Sequence, residues 1–141
     1  MNKAELRAAL LLDPVIARCV ELAQVDANVQ LLWLYGSRAK GTAQAGSDYD
    51  FAVAFASFPQ NAWGKRLQPV LLAQQWADAL GVPDDKISVI DINHVPIPLA
   101  LSVIRQGVEL VVKDGLRLAR EENRITGLWE EECFHRERDN G

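Results

Sequence analysis

The sequence predicts an α/β fold of the α+β kind, a small mixed β-sheet of about four strands backed by helices. Three observations predict it. The 141 residues, 49% hydrophobic and 24% charged, suit one domain with a real core, spanning residues 1–141. Four short apolar runs have strand length, and the segments between them carry helical periodicity. The first two runs are too close for a helical crossover, so they are expected to pair antiparallel, which excludes a regular βαβ series.

Residues 3–12 suit a helical turn or two. A helix then starts at Asp13, a capping residue followed by Pro14, a good first helical residue. Val15, Ile16, Cys19, Val20 and Ala23 recur at helical spacing. "VQLLWLY", Val29 to Tyr35, is a compact apolar run closed by Gly36 and reads as a buried strand. A loop rich in Gly, Ala, Ser and Thr follows from Gly41 to Ser47, and "DYDFAVAF" after it alternates and then turns apolar, as a second strand would. Asn61 to Leu80 reads as a helix stopped by Gly81, with Pro69 implying a kink or a later start. "KISVIDI", Lys86 to Ile92, is a β-branched third strand. "PIPLALSVIRQG" is a helix ended by Gly107, "VELVV" a fourth strand, and Gly115 to Arg136 a charged amphipathic helix.

A formal net charge of −4, with no uninterrupted basic block, opposes counterion-driven binding to a nucleic-acid backbone, so direct nucleic-acid binding is not expected. Cys19 and Cys133 lack metal-ligand spacing and read as reduced thiols. The apolar run Ala8 to Leu12 is cut by Asp13-Pro14, and no uncharged stretch has membrane-spanning length; a cytoplasmic protein with no membrane partner is expected.

The chemistry concentrates in "YGSRAKGTAQAGSDYDFAVAF". On a strand, Asp48 and Asp50 point the same way, and two adjacent carboxylates call for a cation. Oxygen ligands favour a hard ion such as Mg²⁺, which binds through one or two carboxylates plus substrate phosphates. Asp91, near the end of the third strand, is the candidate third carboxylate. Three carboxylates can hold two ions, roughly 3.5–4 Å apart, around a displacement at phosphorus. Asp91 would then ligate the catalytic ion and help to deprotonate the acceptor hydroxyl. Gly36 lets the backbone approach a ligand, and the amides there with the Ser37 hydroxyl suit terminal phosphates. Arg38 and Lys40 are further phosphate contacts or solvated charges. A Walker A loop is excluded, because Lys40 precedes Gly41 instead of following it.

This order and spacing, Gly-Ser, ten residues, then Asp-x-Asp, resembles the GSx10DxD signature of the polymerase-β-like nucleotidyltransferases, in particular their minimal branch. "VIDI" resembles that family's third-aspartate strand. The resemblance covers about residues 30 to 112 and is closest to the MntA-type antitoxins of HEPN/MNT toxin–antitoxin pairs. It implies the nucleotidyltransferase fold, with Gly36, Ser37, Asp48, Asp50 and Asp91 in the family's site roles. It further implies ATP as substrate, Mg²⁺ as cofactor, and transfer of AMP to a tyrosine of a partner HEPN ribonuclease, which silences it. The family often has arginine where Lys40 stands. No second domain is expected in a chain of this size to shape an acceptor pocket, which favours a protein partner.

Two other functions fit the same residues: an antitoxin that inhibits by binding alone, and nucleotidyl transfer to a small molecule such as an aminoglycoside. His94 reads as a loop residue outside the site. Trp33 and Trp76 read as core. Trp63 and Trp129 are less constrained but are also expected at least partly buried. The charged tail suits a solvated helix face, on which Trp129 and its neighbours offer a docking surface for the partner.

Overall fold

A computed structural model describes residues 2–140. Helices α1 (Lys3–Leu10) and α2 (Pro14–Val25) lead into β1 (Val29–Tyr35), a short helix α3 (Gly36–Lys40), β2 (Tyr49–Phe55) and α4 (Ala62–Leu80). A 3-10 turn, Asp84–Lys86, precedes β3 (Ile87–Asp91), followed by α5 (Ile97–Gln106), β4 (Val108–Val112) and α6 (Gly115–Asn140). The sheet order is β3-β2-β1-β4. As expected, β1 and β2 pair antiparallel; β4 joins the other side of β1 antiparallel and β3 runs parallel to β2.

Period-two alternation sorts the central strands between two cores. Leu32, Leu34, Phe51, Val53 and Phe55 face a core closed by α2 and α4, where Trp76 meets Phe51 edge-on. Leu31, Trp33, Ala52 and Ala54 face the other core, closed by α5 and by Ile125 of α6. Both sheet faces are thus covered, which explains why β1 and β2 read as nearly continuous apolar runs.

Local chemistry sets the element ends. Asp13 caps α2 by accepting from the Val15 amide at 2.9 Å, with Pro14 at the first position. Asn61 caps α4, which starts there in spite of Pro69 and continues through it; Pro69 is buried, so packing offsets the hydrogen bond that its ring removes. Helix α6 continues to Asn140, beyond the Arg136 end expected from its pattern. Trp33 and Trp76 are core residues, whereas Trp63 is 67% exposed, against the expectation of partial burial. Its place in the first turn of α4 carries it clear of both cores. Among the described residues, no helix is long and apolar enough to cross a membrane.

Candidate active site

Strand β1 ends at Tyr35, and the chain turns at Gly36, whose φ of +73° is a left-handed conformation that glycine adopts without steric cost. A Cβ on residue 36 would collide with Asp50 Oδ2, so the glycine also lets the turn lie against that carboxylate. Tyr35 supplies no side-chain cap to α3, and the Ser37 hydroxyl makes no hydrogen bond among the described residues. The Ser37 carbonyl accepts from the Thr42 amide at 3.0 Å, folding the loop back on α3.

Asp50 lies beside Tyr35 in the antiparallel β1/β2 pair, and Asp48 precedes β2 in the loop. Burial, and then the charge of Asp48, push the Asp50 carboxyl above its ordinary value. Burial and the Asp50 charge push the Tyr35 phenol up to about 12, with the Ser88 hydroxyl opposing the rise. Among the described residues, no cation pairs with Asp48 or Asp50. Two neighbouring carboxylates without a counter-charge, against a glycine turn, are suited to one hard cation carrying phosphate oxygens.

The fold brings Gly36, Ser37, Asp48 and Asp50 together. Asp91 is not with them. Its register partner on β2 is Val53, three residues along from Asp50, which at about 3.3 Å per residue is about 10 Å away. Val53 also faces the α4 side of the sheet, whereas Asp50 belongs to the alternate set with Ala52 and Ala54. The Asp91 carboxylate is buried and occupied: Oδ1 accepts from the Asn93 amide at 2.9 Å, and Oδ2 lies 2.7 Å from His94 Nδ1. It borders a separate cavity of about 310 Å³, lined by Lys65, Arg66, Pro69, Val89 and His94 among others. Among the described residues, no three His, Cys, Asp or Glu side chains are grouped to hold a metal ion.

Arg38 is also placed apart from the two aspartates. Its guanidinium stacks on the Tyr49 ring at 3.8 Å, donates to the Ser47 carbonyl at 2.6 Å and approaches Asp13 at 3.8 Å. Tyr49 alternates with Asp50 and so lies on the opposite face of β2, which makes Arg38 a brace between α2, α3 and the loop. Lys40 is exposed at the end of α3.

Sequence reasoning missed Tyr35 and Ser88, which flank Asp50 on the two neighbouring strands. Tyr35 was visible as the residue before the Gly-Ser pair. Ser88 was hidden, because the register of β3 depends on how far α4 carries the chain back.

The decisive comparison is with known families. Residues 18–115 match the family described as polymerase beta, nucleotidyltransferase. The chain belongs to this family. The nucleotidyltransferase is 28% identical over 99 residues to a protein adenylyltransferase MntA from Aphanizomenon flos-aquae; the match covers 69% of this chain and 66% of that relative, just under two thirds. Solved structures share the fold. One is a toxin–antitoxin complex with AMP-PNP, at TM-score 0.69 and 23% identity, covering 86% of this chain and 92% of that chain. Another is a tri-AMPylated Shewanella oneidensis HEPN toxin in complex with an MNT antitoxin, at TM-score 0.58 and 18% identity, covering 96% and 93%.

Proposed function

We propose that this chain is the antitoxin of a HEPN/MNT toxin–antitoxin pair, acting in the cytoplasm, and that it transfers AMP from ATP to a tyrosine of its HEPN toxin with the help of Mg²⁺. The observation that carries the reading is the uncompensated pair Asp48 and Asp50 against the Gly36 turn. The relative in Aphanizomenon flos-aquae is a protein adenylyltransferase, and the Shewanella oneidensis HEPN toxin is tri-AMPylated in its complex with an MNT antitoxin; both support the same reaction here.

Asp48 and Asp50 would hold Mg²⁺, which when bound would supply Lewis-acid stabilisation of charge on the phosphates. The backbone at Gly36 and the Ser37 hydroxyl would hold the terminal phosphates. The tyrosine oxygen bonds to the α-phosphorus, the bond to the bridging oxygen breaks, pyrophosphate leaves and the phenolic proton is released. In this reading the far half of α6 contributes to the toxin contact, since it presents Leu128 and Phe134 to solvent and stacks Arg136 on Trp129 at 5.7 Å. Removing residues from Gly127 onward should weaken the complex and leave the domain folded.

The test incubates the chain with its co-encoded neighbour, α-labelled ATP and Mg²⁺, beside the Asp48→Asn, Asp50→Asn variant. Label on the neighbour that disappears with the variant supports the proposal; label only on an added aminoglycoside replaces it. Neutralisation without label supports a second reading, inhibition by binding alone, which is favoured by the lack, among the described residues, of a third acidic group beside Asp48 and Asp50.

A further inference from the structure

The parallel register places Ser88 directly opposite Asp50 and Val89 opposite Phe51. Side chains of paired residues in a parallel ladder share a face, so Ser88 looks out on the same side as Asp50. Ile90, the next residue on that side of β3, packs into the core that holds Ala52 and Ala54, which confirms the alternation. Tyr35, Asp50 and Ser88 therefore form one row across β1, β2 and β3, at the uncovered end of that face. A third carboxylate that joined Asp48 and Asp50 from β3 would have to stand at position 88. The carboxylate that β3 does carry, Asp91, is on the other face and already bonded to Asn93 and His94.

We infer that the site is built for one divalent ion, bound through Asp48 and Asp50, and that Ser88 occupies the position at which a carboxylate would create a second ion site. A serine hydroxyl brings no charge, and a second dication close to the first needs anionic ligands to offset their repulsion. Ser88 is exposed on an edge strand, so a longer acidic side chain has room there. The inference rests on the nucleotidyltransfer proposed above and deepens it by setting the number of ions that the chain holds.

The experiment counts Mn²⁺ bound to the full chain with one equivalent of AMP-PNP, by electron paramagnetic resonance, for the wild type, Ser88→Ala, Ser88→Asp and Asp48→Asn. The expected result is one Mn²⁺ per chain in the wild type and in Ser88→Ala. Ser88→Asp should gain a second ion, bound at least about tenfold more tightly than any second ion of the wild type, with the spin coupling of two ions about 4 Å apart. Two coupled ions in the wild type overturn the inference. So does a Ser88→Asp chain that melts at the wild-type temperature yet still binds one ion. Should Ser88→Asp fail to fold, the wild-type and Ser88→Ala counts decide. A different result, no Mn²⁺ beyond that held by free AMP-PNP and no effect of Asp48→Asn, would instead remove the nucleotidyltransfer reading itself.

Discussion

Strands β2 and β3 have acidic groups at both ends, and the two ends treat them in opposite ways. At the amino end of β2, Asp48 and Asp50 stand together without a cation, and Asp50 resists ionisation because of burial and its neighbour's charge. Near the carboxyl ends, Glu121 of α6 is 6% exposed and surrounded by donors. It accepts from Asn93 Nδ2 at 2.9 and 3.0 Å, Arg117 Nε at 3.0 Å and Arg124 Nη2 at 2.9 Å. The same arginines donate to the Phe55 and Ile92 carbonyls, binding α6 to the strand ends. Burial alone would raise the Glu121 carboxyl, but bonds from Asn93, Arg117 and Arg124 together hold it below its ordinary value. The internally neutralised end stabilises the fold; the end left charged is available to a ligand.

Breaking each end in turn sharpens the contrast. Asp48→Asn with Asp50→Asn should reduce labelled transfer about a hundredfold or more, since both ion ligands go. The melting temperature should not fall, because a repulsion is relieved. Glu121→Ala should do the reverse. It leaves two arginines facing one another at the strand ends, and with their side chains 21% and 34% exposed the cost is about 2–3 kcal/mol in urea unfolding, below that of a fully buried pair. Transfer per folded molecule should survive.

Gly36→Ala comes next. It forces an alanine into the left-handed region and its Cβ against Asp50 Oδ2, so about 1–2 kcal/mol of stability should be lost together with transfer. A variant with wild-type activity would show that the turn has no need to lie on the carboxylate.

The two ends should also respond oppositely to acid. Glu121, whose folded-state value is depressed, contributes stability above the ordinary glutamate value of 4.5 and loses it as pH falls through the lower folded value. Asp50, whose folded-state value is raised, costs stability when ionised and is relieved as pH falls through that raised value. Asp50→Asn should therefore be slightly more stable than wild type at pH 7, with the difference shrinking as the solution is acidified. Glu121→Gln should show a shallower acid loss than wild type. Unfolding curves at several pH values between about 7 and 4 check both signs.

The same division explains what could be read from the sequence. The Gly-Ser to Asp-x-Asp stretch was legible because its site closes within one hairpin: a strand, a loop of fixed length and a strand that must pair with the first. The sheet's apolar runs, the cap at Asp13 and the Gly81 stop of α4 were legible for the same local reason. The position of Asp91, apart from Asp48 and Asp50, was not legible because β3 returns to the sheet after the 19-residue α4, and its parallel register is set by packing across that distance. A three-residue difference in register changes both the height and the face of a side chain. The contacts of Arg38 were not legible for a similar reason, since its stacking on Tyr49 and its approach to Asp13 join separate elements.

Asp91→Asn is the smallest expected effect and the most direct test of that register. Asparagine keeps an oxygen for the Asn93 amide, and its other atom can still meet His94, whose ring also packs edge-on to Phe58 at 4.9 Å. The loss should be about 1 kcal/mol or less, the net worth of one weakened hydrogen bond, with labelled transfer within about twofold of wild type. The removal of a true metal ligand would instead lower transfer as steeply as the Asp48 and Asp50 changes do, at unchanged stability. A steep loss in Asp91→Asn without unfolding would mean that Asp91 reaches the ion, that β3 shifts register when the complex forms, and that Ser88 does not mark the vacant ligand position.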